Sequence, residues 1–146
     1  MATQREVDEE LSEALRARGH RVTLPRLLVH RHLRRTDGHV TAEQVSSELA
    51  RELPSLSPAT VYATLDLLDD LGFVRRMSTP GGTTIFDARR EAHHHLVCHR
   101  CGALEDLDVQ VDASAARAAA ARAGFRVEHA EMQLSGLCRR CAAAPG

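Results

Sequence analysis

Residues 57–86 read SPATVYATLDLLDDLGFVRRMSTPGGTTIF, and two kinds of element can be parsed from them. Ser57 followed by Pro58 is a helix start: the hydroxyl can accept from a first-turn amide, and proline at N1 lacks only an N–H that the helix would leave unused. Val61, Leu65 and Leu68 then fall on one stripe, and Gly72 supplies a stop. Phe73–Met77 and Thr83–Phe86 flank Pro80-Gly81-Gly82, which predicts a hairpin with a glycine-rich turn. Just upstream, Thr41-Ala-Glu-Gln44 has the capping-box pattern and opens a shorter helix with Val45 and Leu49 inward. Two helices joined by a short turn and followed by a hairpin predict a winged helix-turn-helix.

Towards the N-terminus, Val7, Leu11, Ala14 and Leu15 recur at helical spacing, with Gly19 as the stop, so a first helix is expected over about residues 4–18. Thr23 is placed to cap a second helix, with Pro25 in its first turn and Leu27, Leu28 and Leu33 inward. From the end of the first helix through the second, residues 16–35 carry seven arginines, Arg16, Arg18, Arg21, Arg26, Arg31, Arg34 and Arg35, and no acid, while acids crowd before and after. Overall the chain of 146 residues is nearly neutral, with 19 basic residues, all arginine, against 20 acids. No global field therefore marks a polyanion binder, and any such signal is local. A 43% apolar share excludes disordered and fibrous classes. The polar start and the absence of any 18-residue apolar run point to a cytoplasmic protein with no membrane partner.

The last third has a different chemistry. All four cysteines lie there, as Cys98-His-Arg-Cys101 and Cys138-Arg-Arg-Cys141. Each Cys-x-x-Cys pair turns two thiolates onto one point, and two pairs complete a tetrahedral shell for structural zinc. Local disulfides are disfavoured in a cytosolic setting, and a thiol redox switch through Cys98 and Cys141 is an alternative use. Strands are expected at His94–Cys98, Leu104–Leu107 and Phe125–Leu134, with an alanine-rich helix over Val111–Ala123. The organisation expected is α+β: a winged-helix DNA-binding domain over residues 1–86, a polar hinge at 87–92, and a small metal-binding domain over 93–146. A domain of that size has little core, and a metal can staple it.

Side chains alternate along a strand, so His93 and His95 face one side while His94 and Cys98 face the other. Two separate sites are implied. A pair of imidazoles with carboxylates from Asp87, Asp106 or Asp108 forms an N/O set suited to Fe(II), Mn(II) or Zn(II). The arginine run, Arg16, Arg21 and Arg26 in particular, lies where a helix-turn-helix meets phosphates. The helix beginning at Ser57 offers Ser57, Thr60, Tyr62 and Thr64 away from its apolar stripe, as a neutral surface for base edges. A hydrolytic zinc enzyme built on His93, His95 and Asp87 would need a general base, and none stands out; the chain is not expected to be an enzyme.

Together, Ala59-Thr-Val-Tyr-Ala-Thr-Leu65, His93-His-His-Leu-Val-Cys98-x-x-Cys101-Gly102 and Gly136-Leu-Cys138-x-x-Cys141 resemble the ferric uptake regulator family, in the family's order and over nearly the whole chain. The resemblance implies a homodimeric, metal-activated repressor that binds palindromic double-stranded DNA operators through the winged helix and dimerises through the C-terminal domain, residues 93–146. It puts Cys98, Cys101, Cys138 and Cys141 on the structural zinc site, and His39, Asp87, His93, His95 and Asp106 on a regulatory site for Fe2+ or Mn2+, with Zn2+ also possible. Asp106 stands where the family's peroxide sensors carry Asp and its iron sensors more often Glu. This implies the peroxide-sensing branch, in which iron and peroxide oxidise a ligand histidine, here His39 or His93, and DNA is released. Iron or zinc uptake regulation without peroxide sensing is the alternative. The family's Tyr-Arg-Thr string reads Tyr62-Ala63-Thr64 here. Of a third site found in some members, His94 and His129 survive while Ala92 and Ala113 replace its other ligands, so no third site is expected.

Overall fold

Helix starts and stops are the most local features of the chain, and they organise its first half. The computed structural model describes residues 2–144; Met1, Pro145 and Gly146, at the outer bounds of the two expected domains, lie outside the described residues. The chain divides into two compact units, one ending at Arg90 and the other beginning at Glu91. Asp87, expected in the hinge, belongs to a strand of the first unit.

The first unit opens with α1 (Gln4–Ala17), where Thr3 and Glu6 form a reciprocal capping box and Val7, Leu11 and Leu15 are buried one turn apart. Gly19 follows at φ 76°, a left-handed stop that costs glycine little. Helix α2 (Leu24–Arg35) buries Leu28, Val29, His30 and Leu33, but Thr23 makes no side-chain cap: Pro25 in the first turn sets the entry instead. The two helices are tied by Arg31, whose Nε and Nη2 donate to the two carboxylate oxygens of Asp8 at 2.6 and 2.5 Å. That bidentate bond holds the Asp8 carboxyl below the usual carboxylate range. Strand β1 (His39–Val40) comes next, then α3 (Ala42–Leu49), which has the expected capping box of Thr41 and Gln44. Helix α4 (Pro58–Asp70) is capped by Ser57, whose hydroxyl accepts from the Thr60 N–H at 3.2 Å.

Strands β2 (Arg75–Ser78) and β3 (Thr84–Asp87) form the hairpin, and β1 adds to its far side to give a three-stranded antiparallel sheet in the order β1-β3-β2. The register sets His39 opposite Asp87 and Val40 opposite Phe86. Leu11, Leu15, Val29, Val45, Leu49, Val61, Leu65, Leu68 and Phe86 form one continuous core for this unit. Removing a buried leucine such as Leu65 from such a cluster costs about 2–5 kcal/mol.

The second unit contains β4 (His94–Cys98), β5 (Leu104–Leu107), α5 (Ser114–Arg122), β6 (Gln133–Gly136) and the short α6 (Arg139–Ala143). Its sheet runs β5-β4-β6, with β5 antiparallel and β6 parallel to β4. The strand expected over Phe125–Leu134 is largely absent: only Gln133–Gly136 pairs, and Phe125 is 71% exposed. The parallel register against β4 begins at Gln133, so residues before Met132 have no strand to join. Helix α5 buries none of its residues, and Leu96 and Leu134, register partners on β4 and β6, are both exposed with Leu137. None of the described helices is long and apolar enough to cross a membrane.

Within the first unit, His30 is buried in α2 with its ring edge-on to Phe73, centroids 4.8 Å apart, and neither ring nitrogen has a hydrogen-bond partner among the described residues. Burial disfavours the imidazolium and pushes its pKa from 6.5 to about 4. A depressed folded-state pKa contributes stability that is complete above the unfolded value and is lost as pH falls towards the folded one. Unfolding free energy should therefore decline between pH 6.5 and about 4. In His30→Leu the decline between pH 8 and pH 5 should be smaller by about 2 kcal/mol. Parallel urea titrations at the two pH values measure this, and equal declines in both proteins would exclude His30 as the source.

Candidate metal centre

The four cysteines converge because β4 and β6 run parallel and end together. Cys98 closes β4 opposite Gly136, two residues before Cys138. After Cys98 the chain turns through Gly102, at φ 75°, whose N–H bonds back to the Cys98 carbonyl at 2.8 Å, and this brings Cys101 round. Cys138 is the residue before α6, and Cys141 lies one turn into it. All four sulfurs fall within 4.8 Å of one another and none is in a disulfide. The Cys101 and Cys138 sulfurs are 3.8 Å apart. The edge of a tetrahedron with metal–sulfur bonds of about 2.3 Å is about 3.8 Å, so this separation fits zinc.

The electrostatics favour a dication too. Amide hydrogen bonds from Cys138 and then Cys101 draw the Cys98 thiol down to about 5. Burial, followed by hydrogen bonds with the other three sulfurs, pushes Cys141 up to about 12. Four sulfurs at this distance cannot all ionise without a cation among them. Two arginines brace the cluster: Arg100 donates from Nη1 to the Cys141 carbonyl at 2.9 Å, and the Arg140 guanidinium hydrogen-bonds Cys101.

The other face of the same strand carries nitrogen and oxygen donors. His95 pairs in register with Asp106 on β5, and His93 stands just before β4. His93 Nε2 is 3.5 Å and His95 Nε2 3.9 Å from Asp106 Oδ1, and the two rings lie 4.6 Å apart at 65°. His93 Nδ1 lies 2.8 Å from the Glu91 carbonyl. With its proton donated there, Nε2 is left with the lone pair a metal needs. The donor set and spacing fit a first-row divalent ion with N/O preference. In the first unit, His39 and Asp87 face each other across β1 and β3, and Asp87 Oδ1 accepts from the Arg89 N–H at 2.9 Å. His94 is turned to the sulfur side of the strand, where its Nδ1 accepts from the Met132 N–H at 3.0 Å, so it fixes backbone. Asp108, the third carboxylate named from the sequence, is exposed beyond the end of β5.

Of the residues expected to meet DNA, Arg16 and Arg21 are exposed and Arg26 is half-buried, its Nη1 donating to the Arg21 carbonyl at 2.5 Å. Ser57 and Thr60 are exposed at the start of α4. Tyr62 is half-buried, its ring edge-on to Phe86 and its hydroxyl donating to Glu43 Oε1 at 3.2 Å. Thr64 corrects the sequence-based expectation: it is buried at 4% exposure and faces the core. It lies three residues after Val61 and four before Leu68, which puts it inside the apolar stripe. The interactions that sequence reasoning missed are the β1 strand, which pairs His39 with Asp87, and the arginine bracing of the cysteine cluster; a two-residue strand has no periodicity to detect.

The Ferric uptake regulator family model matches residues 17–135. The peroxide-responsive repressor PerR of Staphylococcus epidermidis is 30% identical over 138 residues, covering 92% of each chain. The Helicobacter pylori ferric uptake regulator, whose structure is described as having three functional metal binding sites, shares the fold at a TM-score of 0.78 and 18% identity over 99% of this chain and 97% of that one. A zinc uptake regulator solved with zinc and DNA matches at a TM-score of 0.63 and 26% identity, with 97% of both chains covered. By the family match and the length of these alignments, the chain belongs to the ferric uptake regulator family of metal-dependent regulators.

Proposed function

We propose that the protein is a homodimeric repressor that binds a palindromic operator on double-stranded DNA when a regulatory metal is present and releases it on exposure to peroxide. In this assignment Cys98, Cys101, Cys138 and Cys141 hold structural zinc, and His39, Asp87, His93, His95 and Asp106 hold ferrous iron or manganese, a set that zinc can also occupy. The observation that carries it is the split of donor chemistry across β4: four sulfurs gather on one side, and two imidazoles with a carboxylate on the other. Sulfur suits zinc, while the N/O set leaves a separate place for a reactive, exchangeable metal.

The coupling to DNA follows from the origin of the ligands. His39 and Asp87 belong to the unit that carries the helix-turn-helix, and the other three to the unit after Arg90. A metal bound by both sets would restrict their relative motion and select one disposition of the two DNA-binding units in a dimer. By linkage, DNA must tighten metal by the same factor as metal tightens DNA. Arg16, Arg21 and Arg26 would contact phosphates, and Ser57, Thr60 and Tyr62 would face the groove. The exposed Leu96, Leu134 and Leu137 supply apolar surface for a second copy.

Peroxide sensing is supported by Asp106 and by the likeness to a relative named for that response. Iron held by His39, Asp87, His93, His95 and Asp106 would promote cleavage of the peroxide O–O bond; peroxide is the oxidant, one of its oxygens passing to the imidazole of His93, held at Nδ1 by Glu91, or of His39, and the other leaving as water. The alternative, metal-uptake regulation without peroxide sensing, draws on the likeness to the zinc uptake regulator.

Anaerobic DNA-binding titrations with iron, manganese and zinc, followed by peroxide and mass spectrometry of the histidine peptides, separate these. Iron or manganese should activate binding, and a gain of 16 mass units on the peptides of His39 or His93 should appear with iron alone. Activation by zinc only would leave the uptake-regulator alternative. Asp106→Ala should weaken metal-dependent operator binding by about 10-fold or more while zinc content is unchanged. Cys98→Ser should instead release zinc and lose the dimer, read by metal analysis and sedimentation. Unchanged operator binding in Asp106→Ala would remove that carboxylate from the regulatory set.

A further inference from the structure

Helix α4, placed by the helix-turn-helix to face DNA, has no basic residue and ends in Asp66, Asp69 and Asp70. Asp66 is four residues beyond Tyr62 and three beyond the exposed Ala63, so it lies on the side of the helix they present. Glu43, bonded to the Tyr62 hydroxyl, adds another carboxylate there. A surface so composed repels a phosphate backbone unless a cation is brought to it from another element.

Strand β2 brings one. The Arg76 N–H donates to Asp69 Oδ1 at 3.0 Å, stitching the strand to the last turn of α4. The Arg76 side chain then reaches up the helix, and its Nη1 meets Asp66 Oδ1 at 3.1 Å. Both side chains stay half exposed, at 51% and 49%. Pairs this open contribute little to stability, so the guanidinium can exchange partners at little cost. A DNA phosphate is a better partner than a single screened carboxylate oxygen, because it accepts the planar fork of an arginine bidentately.

Resting on the DNA-binding function proposed above, we propose that Arg76 is a DNA-contacting residue: Asp66 holds its guanidinium against α4 in the free protein, and on binding it transfers to a backbone phosphate beside Tyr62 and Ala63. The wing strand thereby supplies the cation that α4 lacks, and Asp66 acts as the competing anion that must be displaced.

The two partners should then behave oppositely. The probe is a duplex selected from a random pool by the wild-type protein loaded with manganese, with affinity measured over a range of salt concentrations. Arg76→Gln should bind about 10-fold more weakly, with the slope of log affinity against log salt reduced by about 0.9. Asp66→Ala should bind several-fold more tightly with the slope preserved, and that gain should largely vanish in the Arg76→Gln background. Arg76→Lys should restore the slope. If the pair serves only to dock β2 on α4, both single variants will weaken binding together, with lowered melting temperatures and an unchanged salt slope, and the proposal is overturned. Failure of the wild-type protein to select any duplex with any metal would instead overturn the repressor function itself, and this proposal with it.

Discussion

Strand β4, hydrogen-bonded on both edges, is the constraint on which the chemistry of the second unit depends. Its five residues alternate in direction, so one backbone delivers Cys98 to a sulfur cluster and His95 to an imidazole–carboxylate cluster without the two mixing. The antiparallel register with β5 sets Asp106 opposite His95, and the parallel register with β6 brings Gly136, and with it Cys138, beside Cys98. A slip of one residue would exchange the faces and put sulfur among the imidazoles. Sulfur and nitrogen donors select different metals, so the separation of sites is a consequence of pleat and register before it is one of affinity.

The same sheet is poorly supported by apolar packing, and this explains the position of the cysteines. The continuous core belongs to the first unit, whereas in the second, among the described residues, Val97, Cys98 and Cys141 are the buried apolar side chains. A unit of that kind cannot offset the conformational entropy of its chain by burial alone. A metal held by the four cysteines would tie the end of β4 to α6 and replace the missing core with metal–ligand bonds, and the exposed leucines of β4 and β6 are surface that a second copy would bury. In the proposed function, structural zinc and dimerisation would be two answers to one deficit.

What could be read in advance divides along similar lines. The caps at Thr41 and Ser57, the glycine stops and the Val61/Leu65/Leu68 stripe are local, and the helices they delimit were legible within a residue or two. The cysteine cluster was legible because Cys-x-x-Cys has few other uses. Thr64 was misplaced because a buried stripe is wider than the three residues that define it, and a threonine hydroxyl does not exclude a residue from its margin. The strand over Phe125–Leu134 was overextended because alternation alone does not reveal where a partner strand begins. The pairing of His39 with Asp87 depends on a register between residues 48 positions apart, for which spacing offers no clue; His39 entered only through family resemblance.

Near-neutral charge conceals an ordered arrangement of opposites. Arg31, in the middle of the arginine run, is bound to Asp8, and Arg90 lies over the Phe73 ring with its Nη1 bonded to Glu10 at 2.6 Å, so acids of α1 anchor both α2 and the last residue of the first unit. Arg16, Arg18, Arg21 and Arg35 remain exposed, on the surface proposed to meet phosphate. Acids that would oppose that surface are engaged locally: Asp66 with Arg76, Asp69 with a strand amide, and Glu43 with Tyr62. The total of −1 therefore says little about partners, because screening confines each charge to its neighbours within about 10 Å. At that range the relevant quantity is how strongly each arginine is already held, and the half-exposed pairs are those that exchange partners at least cost.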